Sequence, residues 1–212
     1  MKTAKEYRDI AKSNLKGSYW NAFLVSLIVT GLTSVIALIP VIGTIASFLV
    51  APILLIGMFA WFIGLSAGEV KPFGILFEAG KTNYVKALCT YLLQTLYLAL
   101  WSLLFVIPGL VKSYSYAMAM YLRTKKPELG ANEAITLSRE IMDGRKWQLF
   151  CLHFSFIGWF ILCILTFGIG FFFLKPYIDA ANVTFYEDAY KAYFGAEAPA
   201  QPESPSVETT EV

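Results

Sequence analysis

The feature that most constrains this chain is the placement of its charged residues, which leaves three long stretches without Asp, Glu, Lys or Arg. These stretches cover residues 17–68, 87–111 and 147–174. The hydrocarbon core of a bilayer is about 30 Å thick and a helix rises about 1.5 Å per residue, so roughly 20 apolar residues cross it. The stretches therefore predict an all-α integral membrane protein with four or more crossings.

The composition excludes several other classes of protein. Hydrophobic residues make up 57% of the 212 residues and charged residues only 15%, whereas soluble domains carry about 25% charged residues. An ordinary soluble enzyme, a nucleic-acid-binding protein with a basic stripe and a disordered protein are all disfavoured. We therefore expect the lipid bilayer as a partner and no nucleic acid.

Prolines, glycines and basic residues divide the chain into six predicted spans. Proline and glycine at 39–43 separate the first two spans, because proline removes a backbone donor and glycine relaxes the turn. Ile107-Pro108-Gly109 ends the third span. Six crossings with both termini in the cytoplasm place 15 of the 17 basic residues on the inner side, leaving only Lys112 and Lys175 elsewhere. The predicted spans are 20–38, 45–65, 86–106, 109–122, 147–166 and 170–186.

A threefold internal repeat accompanies the spans. Lys16-Gly17, Gly80-Lys81 and Gly144-Arg145 each precede a long span, and their glycines are 63 and 64 residues apart. Fixed-period similarity of this kind indicates repeated structural units. We predict a membrane domain over 1–194 made of three hairpins of spans, each preceded by a cytoplasmic amphipathic helix. The repeats cover about 1–66, 67–130 and 131–194.

The segments before the odd-numbered spans have amphipathic patterns. One apolar stripe contains Ala4, Tyr7, Ala11 and Leu15, and another contains Ala134, Ile135, Ser138, Ile141 and Met142. The segment at 72–80 is shorter. Two arrangements are open: the helices lie in the inner interface with cations toward anionic lipid headgroups, or they pack on one another as a cytoplasmic layer.

The ends of the chain and its cysteines carry less information about function. Residues 195–212 contain three prolines and four glutamates but no cation, which predicts a disordered acidic cytoplasmic tail. The N-terminus lacks the pattern of a cleavable signal peptide. Cys89, Cys151 and Cys163 form no Cys-x-x-Cys pair, so neither a metal site nor another cofactor is indicated.

A small set of polar residues inside the predicted spans is the best candidate for a ligand site. Ionisable side chains within a span are costly and usually face the protein interior. Lys175 and Asp179 have the spacing of neighbours on one helix face, and Lys112 occupies the equivalent place in the second repeat. The alternative is that both lysines extend to the outer interface and Asp179 only pairs with Lys175. The predicted pocket, suited to an anionic headgroup or solute, comprises Lys112, Tyr114, Tyr116, Lys175, Tyr177, Asp179 and Asn182.

Several motifs together resemble a bacterial multi-pass membrane family catalogued as domain of unknown function 975. They are Ile107-Pro108-Gly109, the segments 114–119 and 138–144, Phe156-Ile157-Gly158-Trp159, Pro176-Tyr177 and Phe185-Tyr186. The resemblance covers nearly the whole chain before the tail and implies a protein of the bacterial cytoplasmic membrane. It implies no activity and no catalytic residues.

The sequence predicts a non-catalytic protein of the bacterial envelope. It contains no Ser-His-Asp set, paired catalytic carboxylates or histidine cluster. We expect a scaffold, a subunit that binds a membrane-protein partner, or a lipid-interacting factor. The alternative is a protein that binds or transports a small solute through an outward-facing polar pocket.

Overall fold

The structure, a computed structural model, describes residues 2–37, 42–81, 84–104, 106–165 and 168–195. Throughout these ranges the regular structure is α-helical, as predicted. The helices are α1 (Ala4–Leu15), α2 (Tyr19–Ala37), α3 (Ile42–Ser66), α4 (Ile75–Lys81), α5 (Tyr84–Leu104), α6 (Val106–Tyr116), α7 (Ala119–Lys125), α8 (Ala131–Ile141), α9 (Lys146–Phe154), α10 (Ile157–Leu165) and α11 (Ile169–Phe194). The predicted acidic tail from residue 196 onward lies outside the described residues.

Two segments are long and apolar enough to cross a membrane. They are Ala46–Ser66, within α3, and Lys146–Ile164, which includes α9 and α10. The helix α1 and the segment Tyr19–Val35 of α2 pass the same test when taken together, although they meet at an angle of 101°. If this bent pair forms one broken span, the number of candidate segments is three. The coarse prediction of an all-helical chain with membrane-spanning segments is thus supported for two or three segments.

The first three predicted spans coincide with single helices. Residues 20–37 lie in α2, 45–65 in α3 and 86–104 in α5. The predicted break at 39–43 lies mostly outside the described residues, which resume at Ile42. Charge-free apolar runs of this length form continuous helices because each backbone donor finds its acceptor four residues earlier.

The predicted break between the third and fourth spans lies slightly earlier in the chain: α5 ends at Leu104 and α6 begins at Val106, so Ile107-Pro108-Gly109 lie in the first turn of α6. A proline is tolerated there, since the first backbone N–H groups of a helix have no partner within it. Gly109 brings α6 close to α5: a Cβ at this position would lie 2.7 Å from Ser102 Oγ. Proline and glycine therefore begin α6 and set its distance from α5.

The prediction of a continuous fourth span at 109–122 is wrong, because the helix is interrupted at 117–118 between α6 and α7. With 11 residues, α6 is only about 17 Å long, roughly half the hydrocarbon thickness. At its end Ser115 O accepts a hydrogen bond of 2.9 Å from Ser138 Oγ of α8. A side chain from another helix thus satisfies a carbonyl group at the interruption.

The fifth and sixth predicted spans differ in detail from the helices observed. The prediction at 147–166 corresponds to two helices, α9 and α10, separated at Ser155-Phe156. Ser155 O accepts a hydrogen bond of 3.1 Å from the Arg8 guanidinium, which stabilises the interruption. The prediction at 170–186 lies within α11, which continues to Phe194 with Pro176 inside it.

The apolar faces of the amphipathic helices are buried against other helices of the chain. In α1, Tyr7, Ala11 and Leu15 are buried, and the Tyr7 ring packs edge-on against Phe185 of α11 with centroids 5.3 Å apart. In α8, four residues of the predicted stripe are buried: Ala134, Ile135, Ser138 and Ile141. Of the two arrangements left open by the sequence, the structure favours helices packed on protein over apolar faces turned to lipid.

Asp188 near the end of α11 joins the two ends of the fold. Its carboxylate accepts hydrogen bonds of 2.7 Å from Lys2 Nζ and 2.7 Å from Tyr7 OH, and Arg145 lies 3.9 Å away. Burial alone would raise the pKa of Asp188, but the hydrogen bonds and positive charges outweigh it, so this pKa lies below its ordinary value. The carboxylate therefore stays ionised and holds α1 against α11.

The three repeat-related glycines have different structural roles. Gly17 and Gly144 have φ values of +91° and +73° and follow α1 and α8, a conformation that glycine adopts without steric penalty. Gly80 instead lies inside α4, where a Cβ would be 2.5 Å from Ile53 Cα of α3. Gly57 of α3 approaches the backbone of Leu76 in the same way. The middle repeat thus uses glycine to bring two helices together.

We expect Gly80→Ala to destabilise the protein by about 1–3 kcal/mol, because the new methyl group meets backbone that must move. Gly31→Ala is the matched control: Gly31 is also helical, and a Cβ there has no neighbour within 4 Å. Alanine at that position should be neutral or stabilising. The midpoint of thermal unfolding in detergent measures both changes, and equal midpoints for the two variants would contradict the proposed close packing.

Candidate functional site

An ion pair within α11 forms the centre of the candidate site. Lys175 Nζ lies 2.6 and 2.7 Å from the two carboxylate oxygens of Asp179. The Asp179 side chain is 7% exposed and that of Lys175 44% exposed, so the carboxylate is buried while the ammonium reaches the surface. Ser26 of α2 is also buried and donates a hydrogen bond of 3.2 Å to Asp179. The carboxylate is thus held by two different helices.

A second polar group adjoins the ion pair along α11. Asn182, three residues after Asp179, lies on the same side of the helix. Its Oδ1 is 2.9 Å from His153 Nε2 of α9, and His153 Nδ1 is 3.4 Å from Tyr114 OH of α6. The histidine therefore links α6, α9 and α11, with both ring nitrogens in contact with polar side chains.

The structure brings some of the predicted site residues together and separates others. Lys175, Asp179 and Asn182 follow one side of α11, and Tyr114 reaches Asn182 through His153. Tyr177 instead donates a hydrogen bond of 3.1 Å to Arg8 O. Tyr177 thus faces α1 rather than the ion pair.

Lys112 and Tyr116 make their contacts with α5. The Lys112 ammonium lies 4.8 Å from the centroid of the Trp101 ring, a distance at which a cation is attracted to the ring face. Tyr116 is buried, with its ring centroid 6.2 Å from that of Tyr97. The equivalence of Lys112 and Lys175 in the repeat therefore does not extend to their partners.

A groove of about 650 Å³ lies on a different part of the surface. Helix α1 contributes Lys12 and Lys16 to its lining, while α10 and α11 contribute mainly apolar side chains such as Trp159 and Phe173. Tyr177 is the predicted site residue that belongs to it. The volume falls within the range of about 300–1,000 Å³ common for small-molecule sites.

Ser26, His153 and the two groove lysines are the site residues that the sequence did not assign. Ser26 is one of several hydroxyl residues within a long apolar run, and nothing in the pattern distinguishes it. His153 is the only histidine of the chain, which could have singled it out as a polar partner for Asn182. Lys12 and Lys16 are four residues apart at the end of α1, where Lys16 is the residue that follows the helix; on a helix this spacing places two side chains on one face.

The polar groups of the site are engaged with one another. Among the residues that the structure describes, no group of three His, Cys, Asp or Glu side chains is arranged to hold a metal ion. The Asp179 carboxylate is engaged by Lys175 and Ser26, and the His153 nitrogens face Asn182 and Tyr114. These groups fix the relative positions of α2, α6, α9 and α11.

Together the fold and the site define an all-helical protein with segments long and apolar enough to cross a membrane and a buried carboxylate paired with a lysine of the same helix. The sequence profile of the family described as "Protein of unknown function (DUF975)" matches residues 1–115 and 104–192, and the chain belongs to this family. No curated protein and no solved structure matches the chain significantly.

We expect replacement of Lys175 to lower the free energy of unfolding more than replacement of Asp179 does. Lys175→Met leaves a buried carboxylate without its cation, at a cost of about 3 kcal/mol. Asp179→Asn keeps an acceptor for Ser26 and leaves a lysine that already reaches the surface, so we expect a smaller loss. Thermal unfolding of the two single variants and of the double variant shows which substitution lowers the stability more.

The double variant should recover part of the stability that Lys175→Met loses, because no buried charge then remains unpaired. Two results would contradict this description of the ion pair. One is that Asp179→Asn lowers thermal stability more than Lys175→Met does. The other is that the double variant loses the full sum of the two single losses in stability.

Proposed function

We propose that this chain is a non-catalytic six-span protein of the bacterial cytoplasmic membrane that acts through lipid or a membrane-protein partner. The observation that carries the proposal is a set of exposed apolar stripes on helices that carry few charges. Soluble monomers seldom expose contiguous apolar patches larger than a few hundred Å², and larger ones mark contact with lipid or protein. In this arrangement the protein serves as a scaffold, a partner subunit or a lipid-interacting factor.

The stripe on α5 is the longest of these surfaces. Leu92, Leu96, Leu100 and Leu103 recur at helical spacing, and all are exposed, Leu103 to 87%. Exposing these leucine side chains to water would be unfavourable by about 25 cal/mol for each Å² of apolar surface. A bilayer removes that cost, which supports placing α5 against lipid.

A second stripe lies on α10. Ile157, Ile161 and Ile164 are exposed at 49%, 58% and 68%, and their spacing places them on one helix face. Trp20 and Trp147, at the beginnings of α2 and α9, are exposed as well. Aromatic side chains at the start of apolar segments are typical of the boundary between membrane and water.

Six crossings with cytoplasmic termini agree with the pattern of charges along the chain. Pairs of consecutive helices contact each other in each repeat: α2 with α3, α5 with α6, and α10 with α11. The contacts support three hairpins, and the bias of basic residues toward one side supports cytoplasmic ends. The interrupted fourth crossing is then formed by α6 and α7 together, and Tyr116, Met118 and Ala119 at the interruption are buried by other helices.

Accessibility of single cysteines tests this topology. Val41→Cys, between the first two predicted spans, should be labelled by a membrane-impermeant maleimide added to intact spheroplasts. Glu69→Cys and Glu128→Cys, both exposed in connecting segments, should be labelled only after permeabilisation. The closely packed Gly80 and Gly109 are avoided, because any side chain there collides with a neighbouring helix.

The background for these variants replaces the native cysteines 89, 151 and 163 by serine, and it should remain unlabelled. Labelling of Glu69→Cys and Glu128→Cys from opposite sides of the membrane would require an odd number of crossings between them. That result would overturn the six-span arrangement.

Binding or transport of a small solute is the second candidate function, and the buried Asp179 favours it. Carboxylates within membrane-spanning segments commonly mark substrate or proton pathways. Lys175 and Ser26 hold this carboxylate in the resting structure. A solute carrying a cation or hydroxyl could replace one of these partners.

We expect Asp179→Asn to abolish function in a strain lacking the chromosomal copy if the protein transports a solute. The matched control is Asp143→Asn, which makes the same chemical change at a carboxylate that is 82% exposed. Growth of the complemented strain and the amount of protein in the membrane are measured together. Full complementation by a normally inserted Asp179→Asn protein would remove the transport hypothesis.

A further inference from the structure

We propose that the groove between α1, α10 and α11 binds one anionic phospholipid, with the phosphate at Lys12 and Lys16 and an acyl chain along Trp159, Phe173 and Leu174. The inference rests on the proposed membrane location and names the lipid class and the site. The groove of about 650 Å³ combines two cations with otherwise apolar walls. This combination matches the two ends of a charged lipid.

The apolar walls come from side chains that the fold leaves partly uncovered. Trp159 is 51% exposed and Phe173 48% exposed, while Leu174 below them is buried. The groove floor is fixed by neighbouring helices: Tyr19 OH donates a hydrogen bond of 2.6 Å to Phe173 O, and Tyr177 OH donates one to Arg8 O. A preformed apolar surface favours ligand binding because little ordering accompanies it.

The two lysines supply the recognition of charge. Lys12 lies in the last turn of α1 and Lys16 directly follows the helix, and both are exposed. Across the described ranges no carboxylate is within ion-pair distance of either ammonium, whereas Lys2, which precedes α1, pairs with Asp188. Two neighbouring cations without an acidic partner favour the binding of an anionic group, such as the phosphate of an anionic lipid.

The charged and apolar parts of the groove adjoin each other. Lys12 and Lys16 line it beside α10 and α11, which carry the exposed apolar side chains described above. The phosphate and an acyl chain of one phospholipid would therefore reach both parts.

Native mass spectrometry of the full chain in detergent tests the assignment. The purified, delipidated protein is titrated with phosphatidylglycerol or with phosphatidylcholine carrying the same acyl chains. We expect one tightly retained phosphatidylglycerol and a preference over phosphatidylcholine of about tenfold or more, since two cations near the phosphate contribute. Inorganic phosphate at millimolar concentration should not displace the lipid, because it lacks the acyl chain.

Matched variants separate the charged part of the site from the apolar part. Lys12→Gln combined with Lys16→Gln should reduce phosphatidylglycerol binding to the level of phosphatidylcholine. Lys5→Gln combined with Lys81→Gln removes the same charge from exposed positions outside the groove and should leave the preference unchanged.

The apolar wall is tested at two neighbouring residues of similar exposure. Leu162 lines the groove and Ile161 does not, although they are 53% and 58% exposed. Leu162→Trp should weaken the binding of both phosphatidylglycerol and phosphatidylcholine several-fold. Ile161→Trp should leave the binding of both lipids unchanged. An undiminished preference after loss of both groove lysines, undiminished binding by Leu162→Trp, or displacement by phosphate would overturn the proposal.

Failure of the lipid site is distinguishable from failure of the proposed function. If the groove variants bind lipid as the wild type does while cysteine labelling still shows an even number of crossings, the membrane arrangement stands without this site. If labelling instead places α1 outside the cell, the proposed topology fails whatever lipid the groove retains.

Discussion

A polar group between apolar helices must find its partner within the chain, because neither lipid nor packed hydrocarbon side chains replace water. The described structure follows this constraint at the interruption between α6 and α7 and at that between α9 and α10. Ser138 satisfies the carbonyl of Ser115, and Arg8 satisfies that of Ser155. The same rule explains why Asp179 has partners from its own helix and from α2. The helices are thus positioned by a few polar contacts within a mainly apolar interior.

The class of fold was accessible from the sequence because charge is so unevenly distributed. The helices α2, α3 and α5 follow directly from runs that contain no ionisable residue. The interruptions at 117–118 and 155–156 were not predictable, since neither contains proline or glycine and both depend on side chains distant in sequence. Pro108 was misread because its effect depends on whether it begins or ends a helix.

The candidate site was predicted only in part for a similar reason. The spacing of Lys175 and Asp179 identified their pairing, since both lie on one helix. The contacts of Asn182 with His153, and of Asp179 with Ser26, join residues 29 and 153 positions apart. The internal repeat suggested that Lys112 would behave as Lys175 does, yet Lys112 contacts an aromatic ring. Repeats preserve the order of helices more faithfully than the partners of individual side chains.

The contact between α1 and α11 has a consequence for biosynthesis. Tyr7 and Lys2 are held by Asp188 and Phe185, which leave the ribosome about 180 residues later. At roughly 5–20 residues per second, the first helix waits on the order of ten seconds or more for its binding surface. During that interval α1 can contact α3 and later α9, but the part of its apolar stripe that α11 covers stays exposed until translation is nearly finished.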